Sequence, residues 1–215
     1  MYFVSPRISD PLKKIFMKHT RKHRMQVFIG HLAIRRGERI LDLGGLPEFW
    51  EDCPIPLDIT ILNLPGSSPR TVPQSHHRIT LVEGDACNVE FAADNSFDIV
   101  FSNSVIEHVG DKTRRSEMAR EIRRLAPRYW VQTPSIWFPI EAHCHMFFWW
   151  FYPEFVRSFF MNRWRKSLPA WTDMMNGTTV VLKSEMLEIF PDAVIWTEWK
   201  FGFIKSYSAF RKLTP

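Results

Sequence analysis

An acid inside an apolar run is the first sign of chemistry in this chain. In residues 39–50, RILDLGGLPEFW, Asp42 interrupts Ile40, Leu41 and Leu43, and Gly44 and Gly45 end the run. Burying an unpaired charge is costly, so a carboxylate there calls for a partner. A glycine pair after a strand lets backbone N–H groups approach a ligand that a Cβ would exclude. The combination suits a nucleotide-type ligand at the carboxyl end of a first strand, with a plain strand ending in a glycine turn as the competing reading. Among the histidines, His108, His143 and His145 are the candidates for moving a proton, because imidazole titrates near neutral pH and all three lie on segments leaving strand ends.

The elements that must position these groups are legible in outline. Residues 97–102 read as another apolar strand, followed by the polar exit Ser102, Asn103, Ser104 and a short helical piece. Residues 58–64, 78–85 and 126–134 supply further strands, and 193–201 pairs with 204–211 across Gly202 as a terminal hairpin. Residues 9–36 read as a basic helix, with Ser9 or Asp10 as cap, Pro11 at the first helical position and Leu12, Ile15, Phe16, His19, Val27 and Ile34 as a broken apolar stripe. In 113–125 Met118, Ile122 and Leu125 fall on one helical face. Residues 184–190 form the next helix, with Ser184 as its cap. The first five strands alternate with helices in this reading, and one reversed strand stands at the sheet edge.

LDLGG, then GDA at 84–86, then FDIVFSNSVIEHV resemble the class I S-adenosylmethionine-dependent methyltransferases. The segment VQTPSIWFPIEAH, 131–143, is similar to a VQTPN-x-WFPIEPH-like segment in a group of small bacterial methyltransferases. The resemblance runs from about residue 25 to 211. It implies an α/β fold: a Rossmann-like three-layer sandwich on a seven-stranded, mostly parallel sheet of order 3-2-1-4-5-7-6, with strand 7 antiparallel. It implies S-adenosylmethionine as cofactor and S-adenosylhomocysteine as product. Carried over by position, Asp42, Gly44, Gly45 and Pro47 hold the cofactor in the first loop and Asn63 meets its ribose. Asp85 and Ala86 meet its adenine, and Asn103 and Ser104 contact it from the fourth strand. Leu46 and Glu48 replace the second and third glycines of the usual D-x-G-x-G-x-G, so the loop must bend differently. Asn63 stands where an acid is usual.

Trp137, Phe138 and Glu141 are candidate walls of an acceptor pocket, with His145 beside them and His108 and His143 as the candidates for a catalytic role. Ring O-methyltransferases of ubiquinone synthesis carry an E-x-x-E-H metal motif. Glu107 and His108 match its end, but Ser104 replaces its first Glu, and losing a hard oxygen ligand weakens a Mg²⁺ site. No catalytic metal is expected on that basis. His143-Cys144-His145 lacks the spacing of a zinc pair.

Length and composition set the outer limits. The chain of 215 residues suits one domain, 1–215, with 1–36 as a basic helical extension and 135–176 as an aromatic, lid-like insertion. Ten aromatics fall within 147–164. Formal net charge is +5, and the sequence pI is near 9.2. The basic 11–36 and the aromatic insertion together fit peripheral contact with an anionic membrane. No recognition module points to sequence-specific nucleic acid. Three scattered cysteines and no signal-peptide pattern fit a reducing cytoplasm. The expected activity is methyl transfer to oxygen or nitrogen of a small molecule, a sugar or lipid-linked acceptor. An inactive cofactor-binding scaffold is the alternative. A nicotinamide oxidoreductase is disfavoured because G-x-G-x-x-G is missing.

Overall fold

Strands covered on both faces read as continuous apolar runs, and the sheet forms where the sequence does this. The computed structural model describes residues 11–69 and 71–212, with side chains from residue 20 onward. The proposed caps Ser9 and Asp10, and the side chains of Leu12, Ile15, Phe16 and His19, lie outside the described residues. β1 (Arg39–Leu43), β2 (Asp58–Asn63), β3 (Arg78–Glu83), β4 (Ile99–Asn103) and β5 (Arg128–Pro134) run parallel. β6 (Val194–Lys200) and β7 (Phe203–Arg211) end the sheet, whose order is β3-β2-β1-β4-β5-β7-β6. β7 pairs antiparallel with both β5 and β6, so the reversed strand lies inside the sheet and β6 takes the edge. Its hairpin turns at Phe201 and Gly202, both with positive φ, the geometry that matches strand twist.

Each sheet face carries its own core. On one face, α1 (Pro11–Leu32) buries Met25, Phe28 and Leu32 against Ile40, Phe101 and Trp130. The Phe28 ring stands 5.0 Å from Phe101 and 5.9 Å from Trp130, both edge-on, the arrangement aromatic quadrupoles favour. On the other face, α3 (Lys112–Leu125) and α6 (Lys183–Ile189) bring Met118, Ile122, Leu125 and Met186 onto Leu41, Leu43, Val100 and Val131. Asp111 caps α3 by accepting the Arg114 N–H at 3.0 Å. α6 starts one residue before the proposed cap: Leu182 takes that position without a side-chain bond, and Ser184 falls inside the first turn.

The expected strand–helix alternation fails in two places. Among the described residues, 64–69, 71–77 and 84–98 contain no helix, and α2 (Pro47–Trp50) after β1 is a single turn. The first connection is held by side chains instead. His77 accepts the Leu57 N–H at Nδ1 (3.2 Å), so its Nε2–H donates to the Trp50 carbonyl at 3.0 Å. After β5 comes the insertion, with α4 (Glu154–Arg165) and α5 (Pro169–Gly177). It has a small core of its own, built on Cys144, Trp149, Trp171 and Met175.

Arg24 locks α1 across the carboxyl ends of the strands. It donates to Asn103 Oδ1 at 2.6 Å, Gln132 Oε1 at 3.2 Å and Glu198 Oε2 at 2.8 Å. Glu198 is 1% exposed. Burial pushes its carboxyl up, but Arg24, the Ser206 hydroxyl and Lys205 outweigh that and hold it below the ordinary value. Removing one partner of a buried pair leaves a charge stranded. Arg24→Ala is therefore expected to cost about 3–5 kcal/mol in urea unfolding, and adding Glu198→Gln is expected to recover part of it. A loss within measurement error would show that the clamp is dispensable.

Candidate active site

In open α/β sheets ligands bind at the carboxyl ends of strands, where strand order switches direction. Here the switch lies between β1 and β4, which are neighbours in the sheet. A cleft of about 200 Å³ opens there, lined by Arg21, Asp42, Gly44, Gly45, Leu46, Phe49, Phe101 and Asn103. Asp42 is 1% exposed. Its Oδ2 accepts the Trp50 indole N–H at 2.8 Å, while Oδ1 has no partner. Burial pushes this carboxyl up to about 7, against the pull of the indole bond.

Both glycines are required by their neighbours. A Cβ on Gly45 would land on the Asp42 carboxylate. Gly44 has φ +73, and a Cβ there would stand 2.6 Å from Val105 Cγ2. Its N–H donates to the Leu62 carbonyl at 2.8 Å, and the Asn63 amide donates to the Gly45 carbonyl at 3.2 Å. The loop thus folds back on β2, with Gly44 and Gly45 on the cleft wall. A buried carboxylate oxygen without a partner among the described residues, beside a glycine turn at a strand end, suits a polar nucleoside-type ligand.

Of the residues expected at the cofactor, Asp42, Gly44, Gly45 and Asn103 line this cleft. Pro47 starts α2 and is buried. Asn63 is spent on the loop. Asp85 accepts the Cys87 N–H at 2.9 Å and pairs with Arg114 at 2.5 Å. Burial raises its carboxyl, but these bonds win and hold it below the usual range. Ala86 packs on the α3 face of the core. Ser104, at φ 61, donates its hydroxyl to Glu107 Oε1. Arg21, Phe49 and Phe101 were not singled out from the sequence; their side chains reach the cleft from α1, α2 and β4.

A second, smaller cavity of about 20 Å³ lies at the ends of β4 and β5, walled by Glu107, Thr133, Phe138, Glu141, His143 and Trp149 among others. That is room for about one water. Phe138, Glu141 and His143, expected on the acceptor side, line this cavity together. Trp137 is not among the walls: it is 55% exposed and its ring stands 5.9 Å from Phe151. His145 is also outside the walls, with φ 58.

The histidines meet across the cavity rim. His108 Nε2 and His143 Nε2 are 3.1 Å apart, with rings nearly perpendicular. His143 Nδ1 is 2.8 Å from Glu141 Oε1, and His108 Nδ1 is 3.1 Å from Thr178 Oγ1. Burial pushes both imidazoles down. For His108 it prevails over Glu107; for His143 the bond to Glu141 outweighs it and holds the ring above the ordinary value. Glu107, His108 and His143 each bring one ligand atom to within 4.8 Å of the others, so this group could hold a metal ion. No motif spacing links His143 to the other two. The long step from β4 to the segment after β5 hid the group from the sequence.

Residues 60–127 match the family model described as a methyltransferase domain. No curated protein matches the sequence. Magnesium protoporphyrin IX methyltransferase from Synechocystis, with bound S-adenosylhomocysteine, aligns at TM-score 0.55 and 11% identity, covering 94% of this chain and 88% of that one. Phosphoethanolamine N-methyltransferase 2 of Haemonchus contortus, in complex with S-adenosylmethionine, aligns at 0.53 and 15%, covering 81% of this chain. This chain spans only 38% of that enzyme's length. A SAM-dependent methyltransferase from Aquifex aeolicus aligns at 0.52 and 9%, covering 86% and 88%. These likenesses establish the fold.

Asp42 gives this site a pH signature. Its carboxyl goes from 3.8 when unfolded to about 7 when folded. The folded chain therefore binds more protons across that window, and its stability falls as pH rises through it. Thermal melts between about pH 4 and pH 8 should show this contribution, and Asp42→Asn should remove it. An unchanged pH slope in the variant would assign the effect elsewhere.

Proposed function

We propose that this chain, which carries the fold of the class I S-adenosylmethionine-dependent methyltransferases, moves a methyl group from S-adenosylmethionine to an oxygen or nitrogen of a small acceptor. The observation that carries this reading is the cleft at the point where strand order switches, walled by Gly44 and Gly45 and by Asp42, one of whose buried oxygens has no partner among the described residues. Those residues fit a nucleoside cofactor, and two of the similar structures contain S-adenosylmethionine or its product. Asp42, Gly44, Gly45 and Asn103 would hold the cofactor, with Phe49 and Phe101 excluding water. The cofactor supplies a methyl group on a sulfonium, already activated for displacement.

The chain's remaining task is to place the acceptor and ease its proton away. Glu107, Glu141 and His143 stand on the polar side of the second cavity, with His108 in contact with His143, and Phe138 and Trp149 form the dry side.

The outer face of α4 bears on the acceptor class. Phe155 and Phe159 are 76% and 64% exposed, one helical turn apart, with exposed Arg163 and Lys166 on the same helix. Apolar groups flanked by cations suit an anionic lipid surface, which favours a lipid-linked acceptor. Co-sedimentation with anionic vesicles at low salt is expected, and Phe155→Ser with Phe159→Ser should abolish it. Equal pelleting of that variant would remove this support.

Calorimetry with S-adenosylhomocysteine tests the central reading. One-to-one binding is expected, and Gly45→Ala should weaken it at least about tenfold while circular dichroism stays native, because the new methyl displaces the Asp42 carboxylate. Wild-type protein that binds no tighter than millimolar would overturn the reading.

A further inference from the structure

The imidazole pair poses an electrostatic problem that its partners make definite. Thr178 Oγ1 has one proton and donates it to the Met174 carbonyl at 2.9 Å. Toward His108 it can then only accept, so His108 carries its proton on Nδ1. His143 Nδ1 faces the Glu141 carboxylate at 2.8 Å, so its proton is there too. In the neutral rings both Nε2 atoms are bare lone pairs, and they point at each other across 3.1 Å. Something positive must lie between them.

A single proton shared by the rings would satisfy that pair alone. The surroundings are arranged around more than two atoms. Glu107, 1% exposed, brings Oε1 to 4.0 Å from His108 Nε2. Its other oxygen accepts the Thr133 hydroxyl at 3.1 Å, and Ser104 holds Oε1. Every member therefore has a second group fixing its orientation, the pattern by which outer contacts aim metal ligands. Two nitrogens about 2.0–2.1 Å from a tetrahedral ion stand about 3.3 Å apart, close to the spacing seen here. Glu107 supplies the third ligand atom, within 4.8 Å of both nitrogens. The cavity beside it has room for about one water, which is what an open coordination position holds.

We propose that His108 Nε2, His143 Nε2 and Glu107 bind a first-row divalent transition ion of the Zn²⁺ class. Two imidazoles and one carboxylate select such an ion over Mg²⁺, which takes oxygen ligands. The ion's open position faces the acceptor cavity, where it lowers the pKa of a coordinated hydroxyl or water. This catalytic use rests on the methyltransferase reading; the binding does not.

The test uses the full chain stripped with EDTA, dialysed and titrated with Zn²⁺ by calorimetry, with Co²⁺ as a spectroscopic probe. Uptake of one equivalent is expected, with visible Co²⁺ bands of a low-coordinate nitrogen–oxygen site and no comparable uptake of Mg²⁺. His108→Ala and His143→Ala should abolish it. Glu141→Gln, which keeps the shape and loses only the charge behind His143, should weaken it about 10–100-fold, and His145→Ala should leave it unchanged. No Zn²⁺ binding tighter than millimolar by folded wild-type protein, or binding indifferent to His108 and His143, would overturn the site and leave the pair sharing a proton. Zn²⁺ uptake without S-adenosylhomocysteine binding would overturn the methyltransferase reading alone; the reverse result would overturn the metal site alone.

Discussion

One buried carboxylate constrains everything around the first strand. Asp42 has a single hydrogen-bond donor, the Trp50 indole, which is itself fully buried. That bond fixes where α2 lies, because Trp50 is its last residue. It also decides the loop before α2, because the Asp42 carboxylate occupies the space a Gly45 side chain would need. Trp50 in turn is held at its carbonyl by His77 from the segment before β3. The chain from Asp42 through Trp50 to His77 thus substitutes for packing that a longer helix would supply.

The two polar sites obey different economies. Around Asp42 a carboxylate oxygen is left without a donor, a cost that a native fold keeps only for a reason. Around Glu107 each carboxylate and ring is braced on its far side, by Ser104 just after β4, by β5, by the insertion and by the segment after α5. The Thr178 and Thr179 segment is pinned there twice, since Thr179 also donates its N–H to the Glu107 carbonyl at 2.8 Å. Buried Arg115 braces that segment from α3 through Thr179 and Glu185. Rigid second contacts of this kind give a site its geometry before any ligand arrives.

Most of the sheet was legible in the sequence because apolar runs bounded by glycine, proline and polar exits mark buried strands with little ambiguity. The Asp42-Leu43-Gly44-Gly45 tip was legible for the same reason: an acid and two glycines break a pattern that is otherwise continuous. The missing helices were not, because strand–helix alternation was extended from the well-formed α3 to segments whose composition already argued against it. Ser184 looked like a cap because serine favours caps, but tertiary packing starts α6 one residue earlier. Trp137 was grouped with Phe138 by adjacency, yet neighbours in an irregular segment need not face the same side. The meeting of His108 with His143 was invisible to spacing, since it depends on how the insertion folds back over β4. Glu141 could be placed near the acceptor, but not behind His143, for the same reason.

The bare connections on either side of β3 leave that strand as an outer margin with none of its six residues buried. Its free row of N–H and C=O groups is a template for strand addition by another chain. What blunts it is charge: Arg78 and Glu83 stand at its two ends, and Arg78 is tied to Asp58 of the neighbouring strand. Protection against unwanted strand pairing thus rests, at the margin farthest from β6, on a few ions that stand apart from the clefts.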